Sequence, residues 1–358
     1  MKIVHIIDTF KGGGIANFLL SLLPAQGRLG HNITCIIVEK FDNEYCYNLS
    51  QKLKKNNVEI ICLNKLQANK ISLIRSLLKC RRLLKHLHPD IVNTHGPMSH
   101  FIGGFSTMFT NLSQCCTIHS APEKWGKDIR WICSNKPLIF CSKAAYENRA
   151  QQSNCMISID NGVAPELIQT SSITNLRSEL NLQTDDKIVV LAGSLRPVKN
   201  YEFLKDIVDE LNNTSIHFCI CGGNYGTGYI DADTFNGYPT IHCIGLRSDM
   251  SAIENGSDLF LSCSLREGLP ISVLEAYFNG IPCVLSPIPQ HKAIAQDITA
   301  CIIPEDFTPK AFATAILKSL KNHETHNEIY LKRKANINKF TITNTAKLYI
   351  NFYEQIKK

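Results

Sequence analysis

Apolar runs alternate with segments of helical period along the whole chain. Runs rich in Val, Ile, Leu and Cys without polar alternation are typical of strands buried on both faces of a sheet. They occur at 2–8, 33–39, 58–63, 91–95, 115–119 and 137–142, and again at 187–193, 215–222, 240–245, 258–264, 283–286 and 300–303. Helical segments between them include 15–29, 70–88, 200–212, 270–280 and 309–321. The repeated strand–helix–strand order predicts parallel sheets with right-handed crossovers, and hence an α/β protein of two doubly wound, Rossmann-like domains.

The pattern is interrupted once, near 162–185, where the chain is polar. We therefore predict an N-terminal domain at 1–165, a C-terminal domain at 166–335 and a last helix at 336–358. A length of 358 residues with 44% hydrophobic content suits two domains of this kind. Ligands of open parallel sheets bind at the carboxyl ends of the strands, so we expect the site in a cleft between the two sheets.

Charge is divided unevenly between the two halves. Residues 1–165 carry 20 Lys and Arg against 10 Asp and Glu, whereas the remainder carries 18 against 21. The segment 70–88 holds six basic residues and no acidic one, beside an apolar stripe. The plain interpretation is a helix packed on its sheet with a solvated basic face. A further interpretation, compatible with the first, is that this basic face rests on an anionic membrane. The anionic partner of the first half could also be a phosphorylated lipid or nucleic acid.

Cysteine usage indicates a reducing compartment. Most of the 15 cysteines lie inside apolar strands, and no Cys-x-x-Cys pair occurs, which favours buried free thiols over zinc or redox sites. No apolar run is long enough to span a bilayer, and the N-terminal segment does not resemble a signal peptide. We expect a cytoplasmic protein, with a peripheral position on the inner face of the membrane as an addition.

The segment 264–282 carries the most chemical information. A strand-like run ends in a turn that contains Glu267 and Gly268, and a helix is predicted to begin near Pro270 and to stop at Gly280. A free helix N-terminus after a glycine turn binds anions such as phosphate. The carboxylates of Glu267 and Glu275 can accept hydrogen bonds from hydroxyl groups, so the ligand is expected to be part phosphate and part polyol.

Other loops that follow strands carry further candidates. Gly12, Gly13 and Gly14 allow close approach of a ligand to the backbone after the first strand, although a plain turn is the alternative. His95 and His119 each end a strand, where a neutral imidazole could bind a sugar hydroxyl rather than serve the core alone.

The second half adds cations at its strand ends. Gly193 begins a loop in which Arg196 and Lys199 could neutralise a diphosphate leaving group. The turn that contains Arg247 could read a nucleobase through its main chain. Asp231 and Asp233 form an Asp-x-Asp pair, but they do not follow an evident strand, and metal binding there is poorly supported.

These residues together resemble retaining glycosyltransferases of family 4, which have the GT-B fold, and in particular those of bacterial surface-polysaccharide and lipopolysaccharide synthesis. The resemblance covers nearly the whole chain, and its most specific part is the Glu-x7-Glu motif formed by Glu267 and Glu275. It also rests on Gly12–Gly14, His95, Thr117–His119, Asn161–Val163, Gly193–Lys199 and Gly245–Asp249.

The resemblance implies a role for each candidate. Glu267 would bind hydroxyls of the donor sugar and Glu275 the nucleotide ribose. Arg196 and Lys199 would hold the diphosphate together with the helix start at Gly268, Leu269, Pro270 and Ile271. His119 would contact the sugar near its reacting carbon, His95 would lie on the acceptor side, and Gly13, Gly14, Gly193 and Arg247 would border the donor. The last helix would return to the N-terminal domain, and no metal or other cofactor is expected.

Two positions depart from the family pattern. The arginine expected directly after Gly193 occurs instead as Arg196. The segment that ends at His291 matches relatives with a histidine there, but Ala293 stands where an acidic residue is frequent.

The expected function is transfer of a sugar, with retained anomeric configuration, from a nucleotide sugar such as a UDP-sugar. The transferred group would be a hexosyl or N-acetylhexosaminyl unit, and the acceptor a lipid-linked saccharide or another surface-polysaccharide precursor. The alternatives are a nucleotide-sugar epimerase or hydrolase of the same fold, and a catalytically silent subunit that binds a membrane or partner enzyme. A nucleic-acid binder is disfavoured because no aromatic stacking platform or recognised motif occurs.

Overall fold

A computed structural model describes residues 1–10, 14–40, 44–120, 125–165, 173–223, 230–295, 300–321 and 324–357. The strands are β1 Lys2–Ile7, β2 Asn32–Glu39, β3 Glu59–Lys65, β4 Ile91–His95, β5 Ser113–Ile118, β6 Leu138–Phe140, β7 Met156–Ser158, β8 Lys187–Ala192, β9 Ile216–Cys221, β10 Ile241–Gly245, β11 Leu259–Ser262, β12 Cys283–Leu285 and β13 Cys301–Ile302. A strand is present at each of the twelve predicted positions. The additional one is β7 at the edge of the first sheet, whose three residues are only partly buried.

The described helices also follow the predicted pattern. They are α1 Gly14–Arg28, α2 Glu44–Lys55, α3 Lys70–Leu87, α4 Pro97–Thr107, α5 Lys127–Ile132, α6 Lys143–Glu147, α7 Leu176–Glu179, α8 Phe203–Leu211, α9 Met250–Asn255, α10 Ile271–Asn279, α11 Pro289–Ala295, α12 Pro309–Leu320, α13 His326–Ile337 and α14 Ile342–Ile356. Within the described ranges, no helix combines the length and the apolar character needed to cross a membrane.

Two parallel sheets form the centres of two compact units. One unit comprises Met1–Gly162 with Ile342–Lys358, and the other comprises Val163–Thr341. The first sheet has seven strands in the order β3-β2-β1-β4-β5-β6-β7, and the second has six in the order β10-β9-β8-β11-β12-β13. In each sheet the strand order reverses beside the first strand, which is the doubly wound arrangement whose ligands bind at the carboxyl ends of the strands.

Central strands are buried throughout because helices cover both faces of each sheet. Every residue of β4 and β5 is buried, the polar ones included. The buried polar groups there are paired: Thr117 Oγ1 donates to Asn93 Oδ1 at 3.0 Å, and Asn93 Nδ2 donates to the Tyr353 hydroxyl at 2.7 Å. Tyr353 lies on α14, so this helix is joined to the first sheet by a buried hydrogen bond.

The end of the chain differs from the expected single helix at 336–358. Residues 326–337 form the separate helix α13, which begins with a capping box between Thr325 and Glu328. The helix that packs on α1 and belongs to the first unit begins only at Ile342. The predicted last helix is therefore present, and its beginning was placed six residues too early.

Candidate active site

Two loops at the carboxyl edge of the second sheet bring Lys199 and Glu267 together. Lys199 Nζ lies 2.6 Å from Glu267 Oε1, and the two side chains are only 18% and 11% exposed. Lys199 ends a short 3-10 turn after β8, and Glu267 follows β11. The Leu265 N–H donates to the Val198 carbonyl at 2.9 Å, which fixes the two loops against each other. The two strand-end loops are therefore in direct contact, and their shared role in donor binding stays a prediction.

A series of hydrogen bonds through Ser264, Ser286 and His291 supports Glu267. Ser264 Oγ donates to Glu267 Oε1 at 2.6 Å, and the Ser264 carbonyl accepts from Ser286 Oγ at 2.6 Å. His291 Nδ1 lies 3.0 Å from the Ser286 carbonyl, to which it can donate. Burial lowers the pKa of His291 to about 4, so this ring is neutral and supports Ser286 without adding charge to the site.

The charge state of Glu267 is set by its neighbours. Burial alone would raise its pKa, but the Lys199 ammonium and the hydrogen bonds from Lys199 and Ser264 outweigh burial and hold the pKa below the usual value. Glu267 is therefore a carboxylate that presents acceptor oxygens at neutral pH. A carboxylate in contact with an ammonium is suited to bind hydroxyls on one side and to lie beside an anion on the other.

Gly193 makes room for Lys199. Its backbone has φ of 147°, and a Cβ at this position would approach Lys199 Cε and the Tyr201 hydroxyl oxygen to 3.1 Å. Tyr201 donates to the Gly193 carbonyl at 3.2 Å. A side chain at Gly193 would therefore strain the backbone and push the lysine stem away from Glu267.

The helix that follows Glu267 begins where the anion site was predicted. It begins at Ile271 with Pro270 at the N-cap position, and Gly268 and Leu269 form the turn before it. No side chain of the cap occupies its first N–H groups. Such a helix start carries a partial positive charge and unpaired backbone donors. Its other end stops at Gly280 in the left-handed region, as the sequence predicted.

Glu275 lies half-buried on the second turn of this helix, near the carboxyl group of Glu254. Burial raises the pKa of Glu275 to about 7. Glu254, on α9, is completely buried, and burial together with the nearby Glu275 raises its pKa well above the usual value. Asn279 donates to Glu254 and accepts from Ser251 Oγ at 3.1 Å. Glu275 is therefore a carboxyl group that gains or loses its proton near neutral pH.

The other predicted cations are placed differently. Arg247 makes ion pairs with Asp249 at 2.8 Å and with Glu179 at 2.9 Å. The hydrogen bond from Arg247 lowers the pKa of Asp249 to about 2. Arg196 is exposed beside the turn that holds Lys199. The donor-binding roles of both arginines stay predictions, and that of Arg247 would require a ligand to approach an arginine that already has two carboxylate partners.

The Asp-x-Asp pair has a local structural role. Asp231 Oδ1 accepts from the Asp233 N–H at 3.1 Å and caps the short 3-10 helix Ala232–Phe235. Across the residues that the structure describes, no group of three or more His, Cys, Asp or Glu is arranged to hold a metal ion.

The first unit places His95 and His119 in direct contact. His95 Nδ1 lies 2.9 Å from His119 Nε2, and His95 Nε2 lies 2.9 Å from His5 Nδ1. The row ends at Gln26, whose Oε1 is 2.8 Å from His5 Nε2. His95 is completely buried, whereas His119 is half-buried just beyond the carboxyl end of β5. His119 is therefore the member of the row that can reach a ligand.

The glycine loop is only partly described. Gly12 and Gly13 lie outside the described residues, and Gly14 is the first residue of α1. A Cβ at Gly14 would meet no atom within 4 Å, so the described structure gives no steric reason for a glycine there.

Sequence reasoning missed the residues that support the site from within. No motif marks Ser264, His5 or Gln26. Glu254 lies inside a helix rather than in a loop after a strand, where candidates were sought. The available signal is a polar residue at a position that the apolar pattern assigns to the core, such as His5 in β1 or Gln26 in α1. Such residues need buried partners, and the sequence does not say which.

Comparison with known proteins assigns both units. Residues 12–174 match the model for Glycosyltransferase Family 4, and residues 172–335 match the model for Glycosyl transferases group 1.

Curated relatives and solved structures agree. The chain is 26% identical over 265 residues to UDP-Gal:alpha-D-GlcNAc-diphosphoundecaprenol alpha-1,3-galactosyltransferase of Escherichia coli, which covers 63% of this chain and 66% of that enzyme. It is 23% identical to the capsular polysaccharide biosynthesis glycosyltransferase CapH of Staphylococcus aureus, over 69% of this chain and 74% of the relative. The crystal structure of Anabaena Alr3699/HepE in complex with UDP-glucose superposes with a TM-score of 0.82 at 14% identity, over 99% of this chain and 100% of that one.

The fold, the Glu267 and Glu275 motif, and two family models that together span residues 12–335 agree with one another. The chain therefore belongs to the glycosyltransferases with the GT-B fold and is similar to those of family 4.

Proposed function

We propose that this protein transfers a sugar from a UDP-sugar to a saccharide acceptor with retention of the anomeric configuration. The observation that carries the proposal is the Lys199–Glu267 pair, held at the start of a helix whose first N–H groups have no side-chain cap. This arrangement offers positive charge for a diphosphate next to carboxylate oxygens for a sugar, which are the two ends of a nucleotide-sugar donor.

Each group of this site has a task in the proposed reaction. Lys199 and the helix start stabilise the negative charge that develops on the departing diphosphate. Glu267 accepts hydrogen bonds from hydroxyls of the donor sugar and thereby orients its reacting carbon. Glu275 accepts hydrogen bonds from the ribose, so that the sugar is held by the loop before α10 and the nucleotide by the helix itself.

Retention requires the acceptor hydroxyl to approach the face of the sugar from which the diphosphate leaves. The resemblance to retaining family 4 enzymes supports this outcome. A hexosyl or N-acetylhexosaminyl unit is the proposed group transferred, with no metal or other cofactor.

The acceptor is proposed to be a lipid-linked saccharide on the cytoplasmic side of the membrane. The name of the E. coli relative specifies a diphosphoundecaprenol-linked acceptor, and CapH is named for capsule synthesis. The basic character of residues 1–165 supports an anionic lipid partner.

A panel of UDP-sugars tests this function. The purified protein is incubated with UDP-glucose, UDP-galactose, UDP-GlcNAc or UDP-GalNAc and a lipid-diphosphate-linked GlcNAc acceptor, and release of UDP and the glycosylated product are measured. The proposal requires a product whose new linkage has the anomeric configuration of the donor. An inverted linkage contradicts retention, hydrolysis or epimerisation without transfer favours the first alternative, and no turnover by a folded protein favours a silent subunit.

We expect donor affinity to depend on pH through Glu275. Its pKa is about 7 in the free protein, and ribose hydroxyls that donate to the carboxylate lower that pKa on binding. Binding therefore releases a proton, so the affinity rises with pH up to about 7 and levels off above it. Calorimetric titration with UDP-glucose should show an affinity that falls by up to about tenfold per pH unit below 7. Glu275→Gln should bind more weakly and lack this slope, and an unchanged slope in that variant would remove Glu275 from the ribose site.

Helix α3 provides a specific surface for an anionic membrane. Its inward face buries Leu77, Cys80 and Leu84, whereas Ile71, Ile74 and Leu78 are 65%, 58% and 50% exposed on other faces. Arg75, Lys79, Arg82 and His86 line a surface groove together with Leu78 and Leu83.

An exposed aromatic residue adjoins this surface. Phe109 is 93% exposed directly after Met108, whose carbonyl accepts from Arg81 of α3 at 3.1 Å. Apolar side chains interleaved with cations are the composition of interfacial helices. We propose that this face of α3 rests on the membrane that carries the acceptor.

The double variant Arg75→Ala/Arg82→Ala tests this surface. Each basic residue near an anionic membrane contributes about 1 kcal/mol, so the double variant should bind phosphatidylglycerol-containing vesicles about 30-fold more weakly. The matched control is Lys54→Ala/Lys55→Ala, which removes the same charge from exposed positions of α2. An equal loss in both variants would show that only net charge matters, and the proposed face would then be wrong.

A further inference from the structure

Three imidazoles form a continuous hydrogen-bonded row across the neighbouring strands β1, β4 and β5. The ring centroids of His5 and His95 are 5.2 Å apart with nearly parallel planes, and those of His95 and His119 are also 5.2 Å apart. Gln26 of α1 terminates the row on the buried side, and His119 terminates it on the half-buried side. The reaction proposed above assigns no task to Gln26 or His5.

The chemistry of a neutral imidazole gives the row a direction. In a neutral imidazole one ring nitrogen carries the proton and donates a hydrogen bond, and the other nitrogen accepts one. If the partner of one nitrogen can only accept, that nitrogen must carry the proton and the other must be unprotonated. Gln26 Oε1 can only accept, so His5 donates through Nε2 and accepts through Nδ1. His95 then donates its Nε2 proton to His5 and accepts through Nδ1, and His119 donates its Nε2 proton to His95.

The row cannot store a proton at its inner end. Burial lowers the pKa of His5 to about 4 and that of His95 well below the usual value. Gln26 is completely buried and neutral, so it supplies no counter-charge to an imidazolium. The row therefore transmits an orientation and a tautomer rather than a charge.

The surroundings hold the row in place. The Phe18 ring packs edge-on against His119 at a centroid distance of 5.6 Å, and Tyr353 packs against His5 at 6.3 Å. Tyr353 is itself fixed by the hydrogen bond from Asn93. Rotation of His5 or His95 would break two hydrogen bonds in a closely packed region, and rotation of His119 would break its bond to His95.

We propose that Gln26, acting through His5 and His95, fixes His119 as the Nε2–H tautomer, so that its Nδ1 accepts a hydrogen bond from a hydroxyl of the sugar substrate. The inference deepens the proposed function and rests on it. Gln26, His5 and His95 are then positioning residues, and His119 is the group that meets the ligand. A site with a fixed acceptor selects a substrate that has a hydroxyl at this point, because a substrate without one leaves the acceptor unpaired.

Nitrogen NMR of the side chains reads the tautomer without any substrate. Protein labelled with 15N in its histidines gives separate signals for protonated and unprotonated ring nitrogens, and His119→Gln identifies the His119 signals. The proposal requires a protonated Nε2 and an unprotonated Nδ1 for His119. A charged ring or an Nδ1–H tautomer would overturn it.

Variants at position 26 test the origin of the tautomer. Gln26→Leu removes the acceptor, and His119 should then populate both tautomers. Gln26→Glu retains an acceptor oxygen at the end of the row and should restore the Nε2–H form. If Gln26→Leu leaves the His119 signals unchanged, the row does not determine the tautomer and the proposal fails.

Turnover with the same UDP-sugar panel provides the functional readout. Outer partners that orient functional histidines in metal sites are worth about 10- to 100-fold, and we expect a loss of kcat of that size in Gln26→Leu with recovery in Gln26→Glu. The matched control is Gln114→Leu, which removes another buried amide of the first sheet that accepts from Thr107 at 2.6 Å outside the row. An equal loss of kcat in both variants would indicate a merely structural effect.

The two proposals fail in different ways. Binding of UDP to the second unit, measured by calorimetry, does not depend on the tautomer of His119. If UDP binds and sugar is transferred but His119 is the wrong tautomer, only the role of the row is lost. If no UDP-sugar binds while the NMR result is as expected, the row stands as a structural feature and the proposed function is wrong.

Discussion

Substitution of Glu267 by glutamine is expected to reduce kcat about 100- to 1000-fold, the size of the loss when one charged or strongly hydrogen-bonding group is removed from a transition-state site. The amide keeps the shape of the side chain but offers one acceptor oxygen instead of two. It also leaves Lys199, which is 18% exposed, without the carboxylate 2.6 Å away. The expected result is a folded protein that binds UDP and transfers sugar very slowly, as measured with the donor panel.

The partner variant shows whether the two residues act as one unit. Lys199→Met keeps the apolar stem that lies against Gly193 and removes the ammonium. We expect a loss of kcat similar to that of Glu267→Gln. Because each residue is positioned by the other, the double variant should lose far less than the product of the two single effects.

Asp258→Asn is the matched control for these variants. Asp258 forms a lysine–carboxylate pair with Lys187 at 3.2 Å in the same unit, next to the beginnings of β8 and β11 rather than their carboxyl ends. Its loss should affect stability slightly and kcat not at all. If Asp258→Asn lowers kcat as much as Glu267→Gln does, loss of an ion pair rather than loss of the ligand contact explains both effects.

Acid unfolding provides a second readout of the Glu267 pair. The pKa of Glu267 is lower in the folded protein than its usual value of 4.5. The pair therefore stabilises the folded state above that value, and its contribution is lost as the pH falls through the lower folded pKa. Wild type should lose more stability than Glu267→Gln over this acidic range, which unfolding curves at several pH values measure.

The fold was predictable because its pattern is local and redundant. Continuous apolar runs identified twelve strands, and their alternation with helices predicted two parallel sheets, which the structure confirms. The three-residue strand β7 and the beginning of α14 were not predicted. Strand β7 depends on pairing with a neighbouring strand, and the beginning of α14 depends on where the preceding helix ends. The period of apolar residues along the chain reports neither.

The residues of the candidate site were predictable only where they lie in loops that directly follow strands. Lys199 and Glu267 lie 68 positions apart, yet both follow strands of one sheet, and the structure brings them into contact. Arg247 fits the same rule, but Asp249 and Glu179 already pair with it. Strand-end position therefore predicts which residues gather at an edge, and not which partner each one takes.

Arg333 illustrates a residue whose role the sequence conceals. It is the middle one of three consecutive basic residues on α13, a run that suggests a solvated helix face. The structure instead buries Arg333 completely. Its guanidinium donates to the carbonyls of Ile281 at 2.9 Å and Ala300 at 3.1 Å, and it lies 4.9 Å from the centre of the Tyr277 ring.

This arginine stabilises the far end of the helix that starts after Glu267. Ile281 follows directly on the glycine that ends α10, so the charge lies where that helix has its partial negative charge and carbonyls without helical partners. Removal of Arg333 would relieve the cost of a buried charge but remove its charge-assisted hydrogen bonds. The Ile281 carbonyl would keep only the Cys283 thiol at 3.3 Å, and the Ala300 carbonyl would keep only the Cys283 N–H at 3.0 Å. Hydrogen bonds from a charged group contribute about 1.5–3 kcal/mol each, so the loss should outweigh the relief.

We therefore expect Arg333→Met to destabilise the second unit by about 3–5 kcal/mol. In a unit of this size, that corresponds to a midpoint of thermal unfolding lower by roughly 8–15 °C. Methionine keeps the apolar stem and most of the volume, so the missing donors rather than a cavity determine the result. The neighbouring Lys332→Met is the control, because Lys332 is 54% exposed and pairs with Glu324 at the surface, where such pairs contribute less than about 1 kcal/mol.

Arg333→Lys separates the guanidinium from its charge. Lysine retains a buried cation but cannot donate to carbonyls in two directions with the planar fork of arginine. If the fork holds the helix end, Arg333→Lys should unfold nearly as early as Arg333→Met. If charge at the helix terminus dominates, lysine should restore most of the lost stability. A variant of either kind that unfolds like wild type would show that the end of α10 is held by its packing alone, and Arg333 would then be a tolerated burial rather than a structural support of the candidate site.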